Sequence, residues 1–216
     1  EAHLALSIFV CTTMALPRKL HPSPLGDTDP FTPTRARPVR VRAREMAVDS
    51  HFEPHRHAWA QLAYCARGVI QVNLHAPTAP TSYIVPPSRA VLIAPGALHA
   101  VAVLEAAAFR TLYIDPSVVP TDWSGCRVMA VTPLLRELVS ALDPVGGPAP
   151  GPAREAALTA LVLDEIGHAE SLALGVPLPG PHSDKRLRAV CQAVLDAPGR
   201  YATLQDWAAD GGAGAR

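Results

Sequence analysis

The sequence predicts a mainly β chain that turns α-helical in its C-terminal part. Two observations carry this. From Pro38 to about Gly125, short apolar stretches are punctuated by proline and glycine turns at close spacing, as in a small barrel or sandwich. After Cys126 the apolar spacing widens to helical periods. Hydrophobic residues are 49% of the 216 but aromatics only 5%, so aliphatic and alanine packing has to build the core.

Residues 17–36, "PRKLHPSPLGDTDPFTPTRA", read as an extended, proline-rich arm. Before it, Leu4 to Leu16 is apolar, but Glu1 and His3 stand where a signal peptide is basic, and the run is too short to cross a bilayer. Residues 1–36 are therefore expected to be a disordered N-terminal arm. Met14 is the natural start, which would make residues 1–13 an artefact. In "PVRVRARE", Val39, Val41 and Ala43 alternate with Arg40, Arg42 and Arg44. The arginine row is either an anion or DNA contact, or else a solvated face or a charged edge strand that resists aggregation, and the latter pair is preferred. The further strands expected are "AWAQLAYCA", "GVIQVNL", "TSYIV", "AVLIA", "HAVAVL" and "FRTLYID". The first pair is expected to be split by a turn at Arg67-Gly68.

Thr132 and Pro133 open a helix with a stripe of Leu134, Leu135, Leu138, Val139 and Leu142. A second helix carries Leu158, Leu161, Val162 and Ile166 on one side. After the linker "LGVPLPGPHS", a third runs from Asp184 to Asp196. A fourth is capped by Thr203, has Leu204, Trp207 and Ala208 on its apolar face, and ends at Gly211 and Gly212.

The 19 basic and 19 acidic residues balance, which argues against the chain as a whole being a nucleic-acid-binding body. Cys11, Cys65, Cys126 and Cys191 are scattered, so reduced thiols in a cytoplasmic protein are the expectation. No Ser-His-Asp arrangement, P-loop or Rossmann fingerprint is present.

The polar feature of the β region is its histidines. His55 and His57 are two apart, Gln61 follows four later, and His99 sits just past Pro95-Gly96. On a strand, His55 and His57 point to one side. Together these residues can line a polar pocket or hold a divalent metal. His51, His75, His168 and His182 are read as solvated surface histidines.

The pattern H-x-H-x3-Q-x6-G, followed by P-G-x2-H, resembles the two motifs of the cupin barrel. That resemblance implies a small β-barrel in which His55, His57, the residue at 61 and His99 hold a metal. Here Gln61 stands where the family usually has Glu, and the second motif is shortened. A neutral amide is a weaker ligand, so a metal-free effector pocket formed by His55, His57, Gln61 and His99 is preferred and a divalent metal is the alternative. The barrel, the helices, the linker and the closing T-L-x-x-W-A-x3-G-A-x-x-R together resemble the AraC/XylS family of bacterial transcription regulators, most of all in "YIVPPSRAVLIAPGALHAV" and residues 176–216.

The resemblance implies four parts: the arm, 1–36; a cupin-like effector-binding barrel, 37–125; a helical dimerisation segment, 126–175; and a linker with the start of an incomplete helix-turn-helix domain, 176–216. A recognition helix would begin near Gly214, so the DNA reader is expected to be truncated. DNA would be a partner only with the full domain present. A small-molecule effector and a second copy of the chain are the other expected partners, with no membrane and no enzymatic activity. The rival reading is a free-standing metal-dependent cupin enzyme, an oxygenase or isomerase.

Overall fold

The computed structural model describes residues 20–75, 81–119, 125–143, 150–172, 176–177, 179, 184–196 and 203–210. His182, the apolar N-terminal run, Gly211, Gly212 and the expected start of a recognition helix near Gly214 lie outside them. The chain divides into two units, 20–182 and a second comprising 1–19 with 183–216.

The first unit is a β body with helices following it. Its strands are β1 (His21–Pro22), β2 (Val39–Met46), β3 (Ser50–His55), β4 (Ala60–Leu74), β5 (Thr81–Val85), β6 (Arg89–Ile93), β7 (His99–Ile114), β8 (Cys126–Ala130), β9 (Ser171–Leu172) and β10 (Val176–Pro177). Its helices are α1 (Pro133–Leu142) and α2 (Pro152–His168). β4 and β7 pair antiparallel along most of their length. The second half of β7 also pairs β2, and the first half of β4 pairs β6, which continues to β8. The first half of β7 pairs β3, and the second half of β4 pairs β5. Two sheets thus share two long strands and enclose a core, the cupin-like barrel.

The bend between the sheets lies at Gly68. The β4–β7 register slips between Cys65 and Ile70, and Gly68 has φ +79°, with the Ala106 carbonyl oxygen 2.2 Å from where a Cβ would sit. Arg67-Gly68, expected as a turn between two strands, is a corner inside one. "HAVAVL" and "FRTLYID" are likewise halves of the single strand β7. Sequence reads such corners as turns because the same residue supplies the positive φ in both.

The strand faces segregate. Ala63, Cys65, Ile70, Val72, Val85, Val91, Ile93, Val101, Val103 and Phe109 meet inside the barrel. Val39, Val41, Leu62, Tyr64, Leu92, Leu112, Ile114 and Met129 pack outward against Leu135, Leu138 and Val139 of α1 and Val162 and Ile166 of α2. Each such fully buried aliphatic side chain contributes about 1.5–3 kcal/mol. α1 is capped by Thr132, whose Oγ1 accepts from Leu135 N at 3.0 Å and donates to the Glu165 carboxylate.

Four expectations are corrected. Residues 126–175 do not begin helical: Cys126–Ala130 is the strand β8, with Val128 in the inner cluster and Met129 in the outer, so burial on both faces erases its alternation. β3 was not expected; in "SHFEPH" only Phe52 is buried. Residues 20–36 are not a disordered arm but run onto the barrel, with β1 beside β3 and a 3-10 turn at Asp29–Phe31. Finally, Leu161, expected on one apolar side of α2 with Leu158, Val162 and Ile166, is exposed, while Leu158 packs partly against the outer core.

In the second unit, α3 (Lys185–Asp196) is capped by Asp184 Oδ1, which accepts from Arg186 N at 2.7 Å. α4 (Leu204–Asp210) is capped by Thr203 Oγ1, which accepts from Asp206 N at 3.2 Å and donates to Asp206 Oδ2.

Candidate functional site

The barrel interior is built in rungs across four strands. Arg40, Tyr113, Gln61 and Ile93 are successive partners on β2, β7, β4 and β6. Arg42, Thr111, Ala63 and Val91 form the next rung, and Arg44, Phe109 and Cys65 the one after. Register makes each rung share one face. Gln61 and Thr111 are buried polar residues among apolar neighbours.

At one end the histidines converge. His55 and His99 are cross-strand partners, and their rings lie 4.4 Å apart. The Pro95-Gly96 turn is fastened by Gly96 N, which donates to the His57 carbonyl at 2.8 Å, so loop and turn arrive together. His57 lies 4.9 Å from His55 and 5.5 Å from His99, and stacks on Trp59. Tyr113 is 5.5 Å from His57. All four expected residues, His55, His57, Gln61 and His99, are thus brought into one cluster.

Backbone carbonyls orient two of the rings. His99 Nδ1 donates to the Ala97 carbonyl at 2.9 Å and His55 Nδ1 to the Glu53 carbonyl at 2.7 Å, leaving Nε2 of each as a lone pair. His57 Nε2 and Trp59 Nε1 are buried without a hydrogen-bond partner among the described residues. Burial holds His99 down to about 4, against the opposing pull of the Ala97 carbonyl, and the nearby histidines deepen the shift. Burial and then the His55 charge hold His57 at about 4 as well. Burial also lowers His55, offset by the Glu53 carbonyl. Neutral, oriented imidazoles are the form that ligates cations or accepts hydrogen bonds.

The donor atoms of His55, His57 and His99 lie within 4.8 Å of one another. A tetrahedral cation with nitrogen ligands at about 2.1 Å needs them roughly 3.4 Å apart, so a modest closing of the rings would seat one. The residues fit a divalent cation, with Gln61 as a weak fourth donor.

Beside the histidines lies a small cavity of about 10 Å³, lined among others by His55, Gln61, Thr111, Tyr113, Arg42 and Arg44. Here the arginine row departs from the solvated-face expectation, whereas β2, paired only with β7 among the described residues, is the charged edge strand that was its other form. Arg40 reaches around the sheet edge to within 3.9 Å of Glu155 in α2. Arg42 and Arg44 face inward. Arg44 donates to the Leu25 and Pro24 carbonyls, each at 3.0 Å, and stands 5.0 Å from the Phe52 ring. Arg42 stands 5.2 Å from the Phe31 ring. Alternation shows that β2 has two faces; it does not say that the valine face lies under helices and the arginine face inside. Of the other histidines, His75 and His168 are exposed, but His51 lies in β3, mostly buried, with Nε2 2.9 Å from Glu53 Oε1.

A small β-barrel with an inward polar cluster, backed by helices, defines a cupin-like ligand-binding domain. The family model for the AraC-like ligand-binding domain matches residues 37–194, and the chain belongs to that family. No curated protein matches it. Among solved structures it is similar to an apo variant of ToxT from Vibrio cholerae, with 10% identity, TM-score 0.47, and coverage of 84% of this chain and 72% of that one. A cupin superfamily protein from Desulfitobacterium hafniense has 11% identity, TM-score 0.32, and coverage of 36% and 68%. A Streptococcus pyogenes protein of unknown function has 13% identity, TM-score 0.33, and coverage of 37% and 66%. The chain thus spans about two thirds to three quarters of these structures, and the family assignment rests on the family model alone.

Proposed function

We propose that the chain is the sensor and dimerisation part of a cytoplasmic, AraC-type transcription regulator, and that its barrel takes a small-molecule effector at His55, His57, Gln61 and His99. The observation that carries this reading is the pair of buried, unpartnered donors and acceptors, His57 Nε2 and Trp59 Nε1, beside a cluster of neutral imidazoles. Buried polar atoms need partners, and an effector with its own polar groups supplies them. The reading is recognition rather than turnover: neutral imidazoles accept hydrogen bonds from a bound ligand.

The helices α3 and α4 stand where the resemblance puts the opening of a DNA-binding domain. α4 alone offers no reader of the major groove; sequence-specific binding would need a further helix packed on it. The dimer is proposed to form through α1 and α2, where Leu134 and Leu161 are about half exposed. The test of the sensor reading is thermal unfolding in the presence of pooled small metabolites. A compound that raises the midpoint of the wild type, but not of a Gln61→Ala, His99→Ala double variant, supports it. Conversion of that compound to a product would replace it with the enzyme reading.

The histidine geometry favours a second reading, a divalent cation held by His55, His57 and His99. It would supply a fixed positive charge and an open position for an effector oxygen. Purified protein equilibrated with Zn²⁺ or Ni²⁺ and desalted should then keep one ion per chain, and His57→Ala should keep none. Metal retained after loss of both His57 and His99 would show that it binds elsewhere.

A further inference from the structure

We propose that the effector is an organic anion, a carboxylate on a compact apolar body, and that Arg42 and Arg44 are its counter-charge. This rests on the sensor reading above and names the ligand class of that barrel.

The argument begins with charge. Arg42 and Arg44 project from alternate positions of β2 into the same cavity, on neighbouring rungs. Among the described residues, neither has a carboxylate within ion-pair distance. The other arginines nearby do: Arg37 pairs Glu155, Arg67 pairs Glu45, and Arg110 pairs Asp143. Burial and the adjacent Arg42 charge both act against the charge on Arg44. Two like charges turned into one half-enclosed space are costly without an anion between them.

The donors match. Arg44 presents Nη1 and Nη2 as a fork, and the oxygens now on it are two backbone carbonyls, Leu25 O and Pro24 O. A carboxylate offers the same two oxygens with a full negative charge, so it binds this fork more strongly than two neutral carbonyls do. Arg42 makes no hydrogen bond within the described protein, and the Thr111 hydroxyl and Tyr113 lie on the rungs beside it.

The walls set the rest of the ligand. Phe52, Phe109 and Leu25 line the same cavity, with the two phenyl rings 6.3 Å apart. Inorganic phosphate or sulfate would satisfy the arginines and waste these surfaces. The free volume is only about 10 Å³, so the ligand enters in place of Leu25, which now packs against the inner cluster, and its body is a compact one.

The experiment is calorimetric titration of the full chain with monocarboxylates of about four to eight carbons, straight, branched and cyclic, each paired with its own primary amide. Inorganic phosphate is the anion without a body. At least one acid should bind, its amide at least tenfold more weakly, and phosphate no better than the amide. Arg42→Gln should weaken the acid at least tenfold while circular dichroism stays that of the wild type; Arg42 holds no hydrogen bond that folding needs. Arg67→Gln, outside the pocket lining and paired with Glu45, should change binding little. Equal binding of acids and amides, lost in the Gln61→Ala, His99→Ala variant, would overturn the anion assignment and leave the sensor reading standing. Binding of the acid undiminished in both Arg42→Gln and Arg44→Gln would overturn it too. No binding by any acid, with a neutral metabolite found by thermal unfolding, would do the same; no binding by anything would end both readings.

Discussion

Gln61 Oε1 stands 3.3 Å from His99 Nε2, and both residues are buried. With Nδ1–H given to the Ala97 carbonyl, the neutral ring turns a lone pair toward the amide oxygen. Two acceptors facing one another are reconciled by rotating the amide half a turn or by a cation shared between them. Both arrangements require an uncharged His99.

Acid should therefore unfold the metal-free protein early. His57 and His99 are held near 4 in the fold, against about 6.5 in an unfolded chain. Above pH 6.5 both states are neutral and nothing is lost. From pH 6.5 down to 4 the unfolded chain takes up protons that the fold refuses, so stability falls, by up to roughly 3 kcal/mol for His99 and less for the more solvated His57. Urea midpoints at pH 7.5 and 4.5 measure this, and His99→Gln should flatten the dependence. A midpoint independent of pH would show that the rings are not held neutral.

Gly68→Ala should be severe and Gly125→Ala mild. Both glycines have positive φ, +79° and +78°. Only Gly68 has a carbonyl oxygen, that of Ala106, in the way of a methyl group. The expected cost is about 1 kcal/mol for Gly125→Ala and roughly 3 kcal/mol or more for Gly68→Ala. Comparable melting temperatures for the two would refute the corner at Gly68.

Thr132→Ala removes the acceptor for Leu135 N and the hydroxyl that reaches Glu165 of α2. It should cost about 1–2 kcal/mol, and Thr132→Ser should recover most of it. If Ser fares no better than Ala in chemical denaturation, the hydroxyl does not hold the helix pair.

Leu161→Glu should leave folding intact and abolish self-association, since Leu161 is 47% exposed on α2. Sedimentation of the wild type as a monomer at high micromolar concentration would remove the dimer proposal. Unfolding of the variant would place Leu161 in the core.

The histidine cluster was legible in the sequence through the motif spacing and the glycine turn before His99, which marks where the chain returns; the strand reading held for His55 alone, since His57 lies in the loop after β3, tied to that turn through its carbonyl. The arginines were not. Arg42 and Arg44 look like any solvated row until it is known that Val39 and Val41 have helices above them, a fact of tertiary contact between segments far apart in the chain. β8 was hidden for a related reason: with Val128 inside and Met129 outside, both faces are apolar and no period of two survives. Gly68 was noticed and misread, because a corner within a strand and a turn between strands ask the same thing of the backbone.

One consequence of β2 remains. Val41 and Arg42 are joined by a single peptide bond, yet Val41 packs in the cluster that holds Val162 of α2, while Arg42 faces the cavity. The wall between pocket and helices is one strand thick, and its two surfaces are the odd and even members of the same run. Close-packed side chains do not yield by degrees; they hold or they repack. A change on the guanidinium side therefore meets the helix pair across a single strand, with no hinge, linker or relay in between.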